Sequence, residues 1–157
     1  MEDPVAALYD AHAAWLWRTA RSLLGTAADA EDAVQEVFLA LVRGGVETHE
    51  LRQPKAYLAT ALIHAAGRLG RRRSRRAWEV LSDHPAPALD HDHQDHRLDQ
   101  ALASLNPDQR QVVALKIEAD LTFAEIGAAL DISPNTAASR WRLALDHLRR
   151  HLPSEDA

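Results

Sequence analysis

The chain has 157 residues, of which 46% are hydrophobic and 26% are charged, and its formal net charge is -5. That length suits one medium domain or two small domains with a buried core. No apolar run approaches the ~20 residues of a membrane span, and the N-terminus lacks the pattern of a secretory signal. The lack of cysteine excludes disulfides and thiolate chemistry and is typical of a reducing compartment, so the sequence predicts a cytoplasmic protein with no membrane partner.

The acidic total is concentrated in one segment. Residues 1–76 carry a net charge of +2 and residues 101–157 a net charge of -2, whereas residues 77–100 carry -5. Residues 68–76 contain six arginines and no acid. Two roughly neutral blocks therefore flank an acidic strip, and a dense basic patch lies at the end of the first block.

Apolar residues recur at helical spacing along almost the whole chain, which predicts an all-α fold. Residues 82–97 interrupt the pattern with two prolines, four histidines and four aspartates, a composition typical of a linker. The sequence therefore predicts two helical domains, 1–78 and 98–153, joined by a flexible acidic linker over 79–97.

The second predicted helix, which begins after the N-cap Thr26 and ends near Gly44, follows a first helix over about 4–24. Its predicted core face consists of Ala30, Val34, Val37, Phe38 and Leu41. The opposite face carries Asp29, Asp32, Gln35, Glu36 and Leu39. A leucine among carboxylates suits a partner with basic and apolar groups. The alternative, which spacing alone favours, is an ordinary solvated acidic face.

The third predicted helix begins at Pro54 and continues into the arginine cluster. Its predicted apolar stripe consists of Leu58, Leu62, Ala65, Ala66 and Leu69. The other side presents His64, Arg68, Arg71 and Arg75, and arginines along one face can each neutralise a phosphate. This pattern indicates a nucleic-acid surface, with a solubilising helix end as the alternative. Gly67 and Gly70 each cost ~1 kcal/mol relative to alanine, so we expect the helix to fray or bend there unless another element packs closely against it.

The second domain is predicted to contain a helix-turn-helix. Asn106 and Pro107 start a helix that ends near Glu118, and a capping box opens a short helix over 123–130. A tight turn and the cap Ser133 lead into a helix that ends near residue 151. Its outward side carries Asn135, Thr136, Ser139 and Leu143, with Arg140 and Arg142 on the flanks. Such residues can bind base edges and phosphates, which indicates a DNA-binding function. The alternative is a three-helix domain that serves only for packing.

Three segments, in this order, resemble the extracytoplasmic-function (ECF) subfamily of the sigma-70 family of bacterial RNA polymerase sigma factors. They are residues 8–43, 54–76 and 101–150. The most specific matches are DAEDAVQEVF at 29–38 and ISPNT followed by SRWRLALDHLR at 132–149. The resemblance covers nearly the whole chain apart from the linker and the last few residues. It implies a region 2 helical bundle and a region 4 helix-turn-helix.

The resemblance also implies roles for the three predicted surfaces. The acidic face of the second helix would dock on the polymerase core through Asp29, Asp32, Gln35, Glu36 and Leu39. The third helix and loop 44–53 would engage the promoter -10 element, with His64, Arg68, Arg71, Arg72 and Arg75 as contacts. The helix-turn-helix would read the -35 element through Asn135, Thr136, Ser139, Arg140 and Arg142. The polymerase, not the sigma factor, performs catalysis.

The sequence departs from the family pattern at two places. Family members often carry asparagine and, four residues on, aspartate where this chain has His64 and Arg68, which bears on -10 specificity. The usual bulky and basic pair before Ser139 is Ala137-Ala138 here, which removes one phosphate or base contact. The family also implies an anti-sigma factor that inserts between the two domains, and the apolar outward residues Leu39 and Leu143 are candidate contacts for it.

Two other classes of function stay open at this point. One is a stand-alone helix-turn-helix regulator, or a sigma-like protein without promoter activity. The other is an enzyme or metal protein, because four linker histidines lie among aspartates and imidazole can bind zinc or nickel: His84, His91, His93 and His96. The linker offers no rigid scaffold for a metal, so the sequence predicts no metal, no cofactor and no catalytic residue.

Overall fold

The computed structural model describes residues 3–45, 47–48, 51–79 and 96–152, with backbone alone for 73–79, 96, 98 and 99. The described residues form helices and connecting turns and contain no strand. The helices are α1 (Pro4–Leu24), α2 (Ala27–Gly44), α3 (Pro54–Glu79), α4 (His96–Ser104), α5 (Pro107–Ile117), α6 (Phe123–Leu130) and α7 (Pro134–His151). The chain divides into two compact units, Met1–Asp90 and His91–Ala157. The predicted all-α, two-unit fold is confirmed.

Capping residues set the ends of α1 and α2. The Asp3 carboxylate accepts a hydrogen bond from the Val5 amide at 3.0 Å at the start of α1. Gly25 ends that helix with a φ of 85°, a left-handed conformation that costs glycine little. The Thr26 hydroxyl then accepts from the Asp29 amide at 3.2 Å and starts α2. The predicted limits of both helices are confirmed.

The first unit is a bundle in which α1, α2 and α3 pack against one another. Every residue that we predicted for the core faces of α2 and α3 is buried. The fully buried side chains Leu16, Leu58 and Leu62 lie at the centre of this core. Fully burying a leucine side chain stabilises a fold by about 1.5–3 kcal/mol, so these residues hold the three helices together.

Close packing against the core keeps α3 helical at its two glycines. The helix runs without a break through Gly67 and Gly70 to Glu79. The buried side chains Ala65, Ala66 and Leu69 flank both glycines on the core side of the helix. Their packing offsets the cost of about 1 kcal/mol that each glycine adds.

A polar cluster joins the middle of α1 to the start of α3. The Trp15 indole N–H donates to His12 Nδ1 at 2.9 Å, and the Lys55 ammonium lies 5.7 Å from the centre of the Trp15 ring. Burial, and secondly the charge of Lys55, lower the pKa of His12 below its ordinary value of 6.5. The neutral imidazole is the form that can accept the indole hydrogen bond.

The second unit is built around α7, against which α4, α5 and α6 pack. One buried cluster joins α4, α5 and α7 through Ala101, Leu105, Val113, Ala144 and Leu148. The helical period predicts a buried stripe on α7 that includes Trp141, Leu145 and Leu152, but all three are only partly buried. Helix α4 was not predicted, because it begins inside the histidine-rich and aspartate-rich segment.

Arg110 of α5 binds the end of α4. Its guanidinium donates to the carbonyl oxygens of Leu102, Ala103 and Leu105 at 3.4, 2.9 and 3.0 Å. The last carbonyls of a helix have no partner within the helix. Arg110 therefore supplies donors to carbonyl groups at the end of α4 and joins two helices at the same time.

Candidate functional site

The outward face of α2 has an exposed centre. Asp32, Gln35 and Leu39 are exposed, and Leu39 keeps 48% of its surface accessible. Asp29 and Glu36 are half-buried, so they lie at the sides of this strip. We call these five residues the α2 surface. An apolar side chain with acidic neighbours gives this surface both a hydrophobic and an electrostatic means of binding a partner.

Glu36 turns from the α2 surface toward α3. Its Oε2 lies 3.3 Å from Arg68 Nη2, and its Oε1 lies 3.6 Å from Arg72 Nη2. The Glu36 side chain is 27% exposed, whereas those of Arg68 and Arg72 are 47% and 60% exposed. The sequence assigned Glu36 to one surface and the two arginines to another, but the structure brings all three together.

The outward side of α3 forms a second surface, which we call the α3 surface. Its described side chains are all exposed: His64, Arg68, Arg71 and Arg72. A Cβ placed on Gly67 would lie 3.5 Å from Arg71 Nη1, so the Arg71 side chain folds back over the glycine one turn earlier. Arg75 belongs to α3, but its side chain lies outside the described residues, as do loop positions 46, 49 and 50.

Local interactions set the start and the end of α6. The Thr122 hydroxyl accepts from the Glu125 amide at 3.1 Å, and the Glu125 carboxylate accepts from the Thr122 amide at 3.0 Å. Asp131 ends α6 in the left-handed conformation with a φ of 56°. A short helix, a tight turn and a longer helix follow one another here, so the predicted helix-turn-helix is confirmed.

The first two turns of α7 present short polar side chains. Asn135, Thr136 and Ser139 are exposed. The Ser133 hydroxyl accepts from the Thr136 amide at 3.1 Å and donates to the Thr136 hydroxyl at 2.9 Å, which fixes the start of the helix. Arg142 donates to the Ser139 hydroxyl at 3.2 Å. We call Asn135, Thr136, Ser139, Arg140 and Arg142 the α7 surface.

Arg140 differs from the other arginine of the α7 surface because it is partly tied to α5. Its Nη2 lies 3.7 Å from the Asp108 carboxylate, and its side chain is 28% exposed. No pattern in the sequence pointed to this partner. The helix dipole alone favours an acid in the first turn of α5. The presence of Asp108 there therefore did not indicate an ion pair with another helix.

The family departure at Ala137-Ala138 concerns the core as well as the surface. Ala137 is fully buried, so a side chain at this position faces the core of the second unit. A bulkier residue at 137 would need space inside the second unit. Ala138 is half-buried and borders the solvent.

The described residues contain no group of three or more histidine, aspartate or glutamate side chains placed to hold a metal ion. The linker histidines proposed as an alternative metal site, His84, His91 and His93, lie outside the described residues, as does the side chain of His96. No helix in the described part of the chain is both long and apolar enough to span a bilayer.

Comparisons with known proteins identify the two units. Residues 8–76 match the family Sigma-70 region 2, and residues 95–148 match the family Sigma-70, region 4. The ECF RNA polymerase sigma factor SigL of Mycobacterium tuberculosis is 35% identical over 154 residues, which cover 91% of this chain and 85% of that protein. The RNA polymerase sigma-E factor of Streptomyces coelicolor is 34% identical, and the match covers 90% of this chain and 81% of that protein.

Two solved structures share the fold. The sigma factor RpoE from Bartonella quintana, in complex with the anti-sigma factor NepR, has a TM-score of 0.71 at 24% identity and covers 96% of this chain and 95% of its own. CnrH, in complex with the cytosolic domain of CnrY, has a TM-score of 0.68 at 21% identity. The match covers 93% of this chain and 85% of the CnrH chain. Both sigma-70 regions are present, and the matched relatives exceed 30% identity over most of their length. The chain therefore belongs to the ECF subfamily of the sigma-70 family, the sigma factors that bind the RNA polymerase core and direct promoter-specific transcription initiation.

Proposed function

We propose that the chain performs this sigma-factor function through the α2, α3 and α7 surfaces. The observation that carries the function is the match of sigma-70 regions 2 and 4, in that order, to residues 8–76 and 95–148. A stand-alone DNA-binding regulator needs only the second region. The match of the first region therefore disfavours that alternative.

The α2 surface is the proposed contact with the polymerase core. Asp32, Gln35 and Leu39 are its exposed centre, and Asp29 and Glu36 lie beside them. An exposed leucine can enter an apolar pocket of the partner while the carboxylates attract basic groups around it. The support for this assignment is the combination of a 48% exposed leucine with acidic neighbours on one helix face.

The α3 surface is the proposed contact with the promoter -10 element. His64, Arg68, Arg71 and Arg72 supply exposed cationic or hydrogen-bonding groups along one helix, and we add Arg75 from the sequence. Guanidinium groups bind phosphate oxygens in bidentate fashion and also stack on bases. This chemistry suits a DNA strand that has been opened.

The α7 surface is the proposed contact with the promoter -35 element. Asn135 and Ser139 expose hydrogen-bonding groups near the start of the helix, where a recognition helix enters the major groove. Thr136, Arg140 and Arg142 flank them. Short side chains can reach base edges there while the arginines bind the adjacent phosphates.

We assign domain boundaries of 1–78 for region 2, 79–97 for the linker and 98–153 for region 4. The chain supplies no catalysis of its own in this proposal, since the polymerase performs the chemistry. We place it in the bacterial cytoplasm, where the core polymerase and promoter DNA are found.

An anti-sigma factor is a further proposed partner. Both of the solved structures named above are complexes, and one partner is described as an anti-sigma factor. Leu39 and Leu143 remain 48% and 57% exposed and are the proposed contacts. Leu39→Glu and Leu143→Glu should each weaken capture of a co-encoded partner, while Val42→Glu, which alters another exposed apolar residue, should not.

Reconstituted transcription tests the main proposal. The full chain is combined with core polymerase and a genomic promoter library, and transcript start sites are mapped. Asp32→Lys should reduce capture of the chain by core polymerase, whereas Glu31→Lys makes the same charge reversal one residue away, outside the α2 surface, and should bind normally. Asn135→Ala with Ser139→Ala should keep polymerase binding and lose transcription that depends on the -35 element.

Two outcomes would contradict the proposal. One is a wild-type chain that does not bind core polymerase. The other is a chain that binds a defined duplex equally well with and without polymerase, which is the behaviour of a stand-alone regulator.

A further inference from the structure

The Glu36 carboxylate is shared by two arginines one helical turn apart. Each of its oxygens faces a different guanidinium, with Oε2 at 3.3 Å from Arg68 Nη2 and Oε1 at 3.6 Å from Arg72 Nη2. Arg68 and Arg72 are i,i+4 neighbours on α3, so their side chains point in the same direction. The carboxylate therefore forms one ion pair with each of two neighbouring cations.

This arrangement lowers the charge that α3 offers to a DNA backbone. The three side chains together carry one net positive charge, whereas the two arginines without Glu36 would carry two. A phosphate that approaches Arg68 or Arg72 must compete with a carboxylate already within ion-pair distance. Competition of this kind weakens DNA binding without blocking access to the surface.

The same carboxylate also belongs to the α2 surface. It is half-buried at the side of that surface, next to the exposed residues Asp32 and Leu39. A basic group of the polymerase that engages Glu36 would compete with Arg68 and Arg72 for its oxygens. One side chain thus has two alternative sets of cationic partners, one within the chain and one on the polymerase.

We propose that Glu36 is a shared counter-ion that couples polymerase docking on α2 to DNA binding on α3. The proposal rests on the roles given above to the α2 and α3 surfaces. In the free chain, Glu36 holds Arg68 and Arg72 and keeps the affinity for DNA low. When polymerase engages Glu36, the two guanidinium groups become available to phosphate, and by reciprocity DNA on α3 strengthens polymerase binding at Glu36.

Binding of a fluorescent single-stranded oligonucleotide to the free full-length chain tests the intramolecular part. Glu36→Gln should raise the affinity about three- to tenfold at low salt, in line with the modest strength of partly exposed ion pairs. The dependence on salt should steepen, because each added phosphate contact on single-stranded DNA contributes about 0.7 to the slope.

Two variants separate the ion pairs from net charge. Glu31→Gln removes the same charge from an exposed position on α2 that forms no ion pair with the described residues, and it should raise affinity by less than twofold. Glu36→Asp keeps the net charge but shortens the side chain by one methylene. It should raise affinity in the same direction as Glu36→Gln, and circular dichroism checks that the helices are retained.

A double-mutant cycle and the holoenzyme complete the test. In a chain that also carries Arg68→Gln and Arg72→Gln, the effect of Glu36→Gln should vanish. With saturating core polymerase, the same substitution should change affinity for promoter DNA by less than in the free chain. An equal effect of Glu31→Gln and Glu36→Gln, or an effect that survives loss of both arginines, would overturn the proposal.

Failure of this proposal is distinguishable from failure of the sigma-factor assignment. Wild-type chain that supports promoter-dependent transcription, combined with an unchanged affinity of the Glu36→Gln variant for DNA, rejects the coupling alone. A wild-type chain that neither binds polymerase nor initiates transcription rejects the function on which the coupling rests.

Discussion

Gly127 and Ile132 meet backbone to backbone in the turn between α6 and α7. The Ile132 amide donates to the Gly127 carbonyl at 2.9 Å, and a Cβ on Gly127 would lie 2.6 Å from the Ile132 carbonyl oxygen. Atoms at that distance overlap, and the obstructing atom belongs to the backbone rather than to a flexible side chain. The tight turn therefore requires glycine at this position.

Gly127→Ala should destabilise the second unit by about 1–3 kcal/mol, the usual cost of forcing an extra methyl group into a packed site. The substitution should also shift the start of α7 and so weaken -35 recognition. Thermal unfolding and binding of a -35 duplex by the holoenzyme measure the two effects. Unchanged stability would show that the turn relaxes freely.

Gly70→Ala should have the opposite effect on stability. A Cβ on Gly70 meets no atom within 4 Å, and the residue lies inside α3. Alanine is favoured over glycine in a helix interior by about 1 kcal/mol, so the free energy of unfolding should rise by up to that amount. Chemical denaturation measures it, and a lower stability would contradict the open environment of Gly70.

Arg110→Ala should loosen α4 from α5. The substitution leaves the carbonyl oxygens of Leu102, Ala103 and Leu105 without their shared donor, a loss of about 1–3 kcal/mol. Amide hydrogen exchange in α4 should quicken more than in α6. Arg110→Lys keeps the charge but not the forked set of donors, so its effect should be intermediate. Equal exchange in wild type and Arg110→Ala would mean that packing alone holds α4.

The stability of the first unit should fall at mildly acidic pH because of His12. Its pKa is lowered in the folded chain by burial and by Lys55, so folding favours the neutral imidazole. This contribution is complete above the ordinary pKa of 6.5 and is lost as the pH falls from there through the lowered pKa. His12→Gln should flatten this part of the pH profile. The Trp15 indole N–H resonance should shift over the same pH range in the wild type only.

The two arginines of the α7 surface should contribute differently to -35 binding. Arg142→Gln should reduce the salt slope of holoenzyme binding to a -35 duplex by about 0.9, the value for one phosphate contact. Arg140→Gln should reduce it less, because its guanidinium already lies 3.7 Å from Asp108. Asp108→Asn should remove that difference. A larger fall in the salt slope for Arg140→Gln than for Arg142→Gln, in a chain that keeps Asp108, would contradict this prediction.

Much of the fold could be predicted because the helix ends are encoded locally. Residues such as Thr26 and Ser133 cap a helix with their own side chains, and Asn106 and Thr122 form capping boxes with residues three positions on. The apolar stripes of α2 and α3 follow from period alone, and their burial agrees with the wheel. Helix ends and apolar faces can therefore be predicted without knowing how the helices pack against one another.

The interactions between helices could not be predicted in this way. Glu36 reaches Arg68 across 32 positions of sequence, and which turn of α2 lies opposite which turn of α3 depends on packing. Asp108 and Arg140 are likewise joined only by the packing of α5 on α7. Helix α4 has only 9 residues and begins in a polar segment, and its position is fixed by contacts with α5 and α7 rather than by its own sequence.

The caps of α5, α6 and α7 also bear on how fast the second unit folds. Each cap joins residues three positions apart, and α6 packs against both of its neighbours in sequence, α5 and α7. Helical proteins whose contacts are close in sequence pay little loop-closure entropy and fold in microseconds to milliseconds. A DNA-binding unit of this kind should re-form its recognition helix quickly after unfolding, because the helix-turn-helix consists of segments that are adjacent in the sequence.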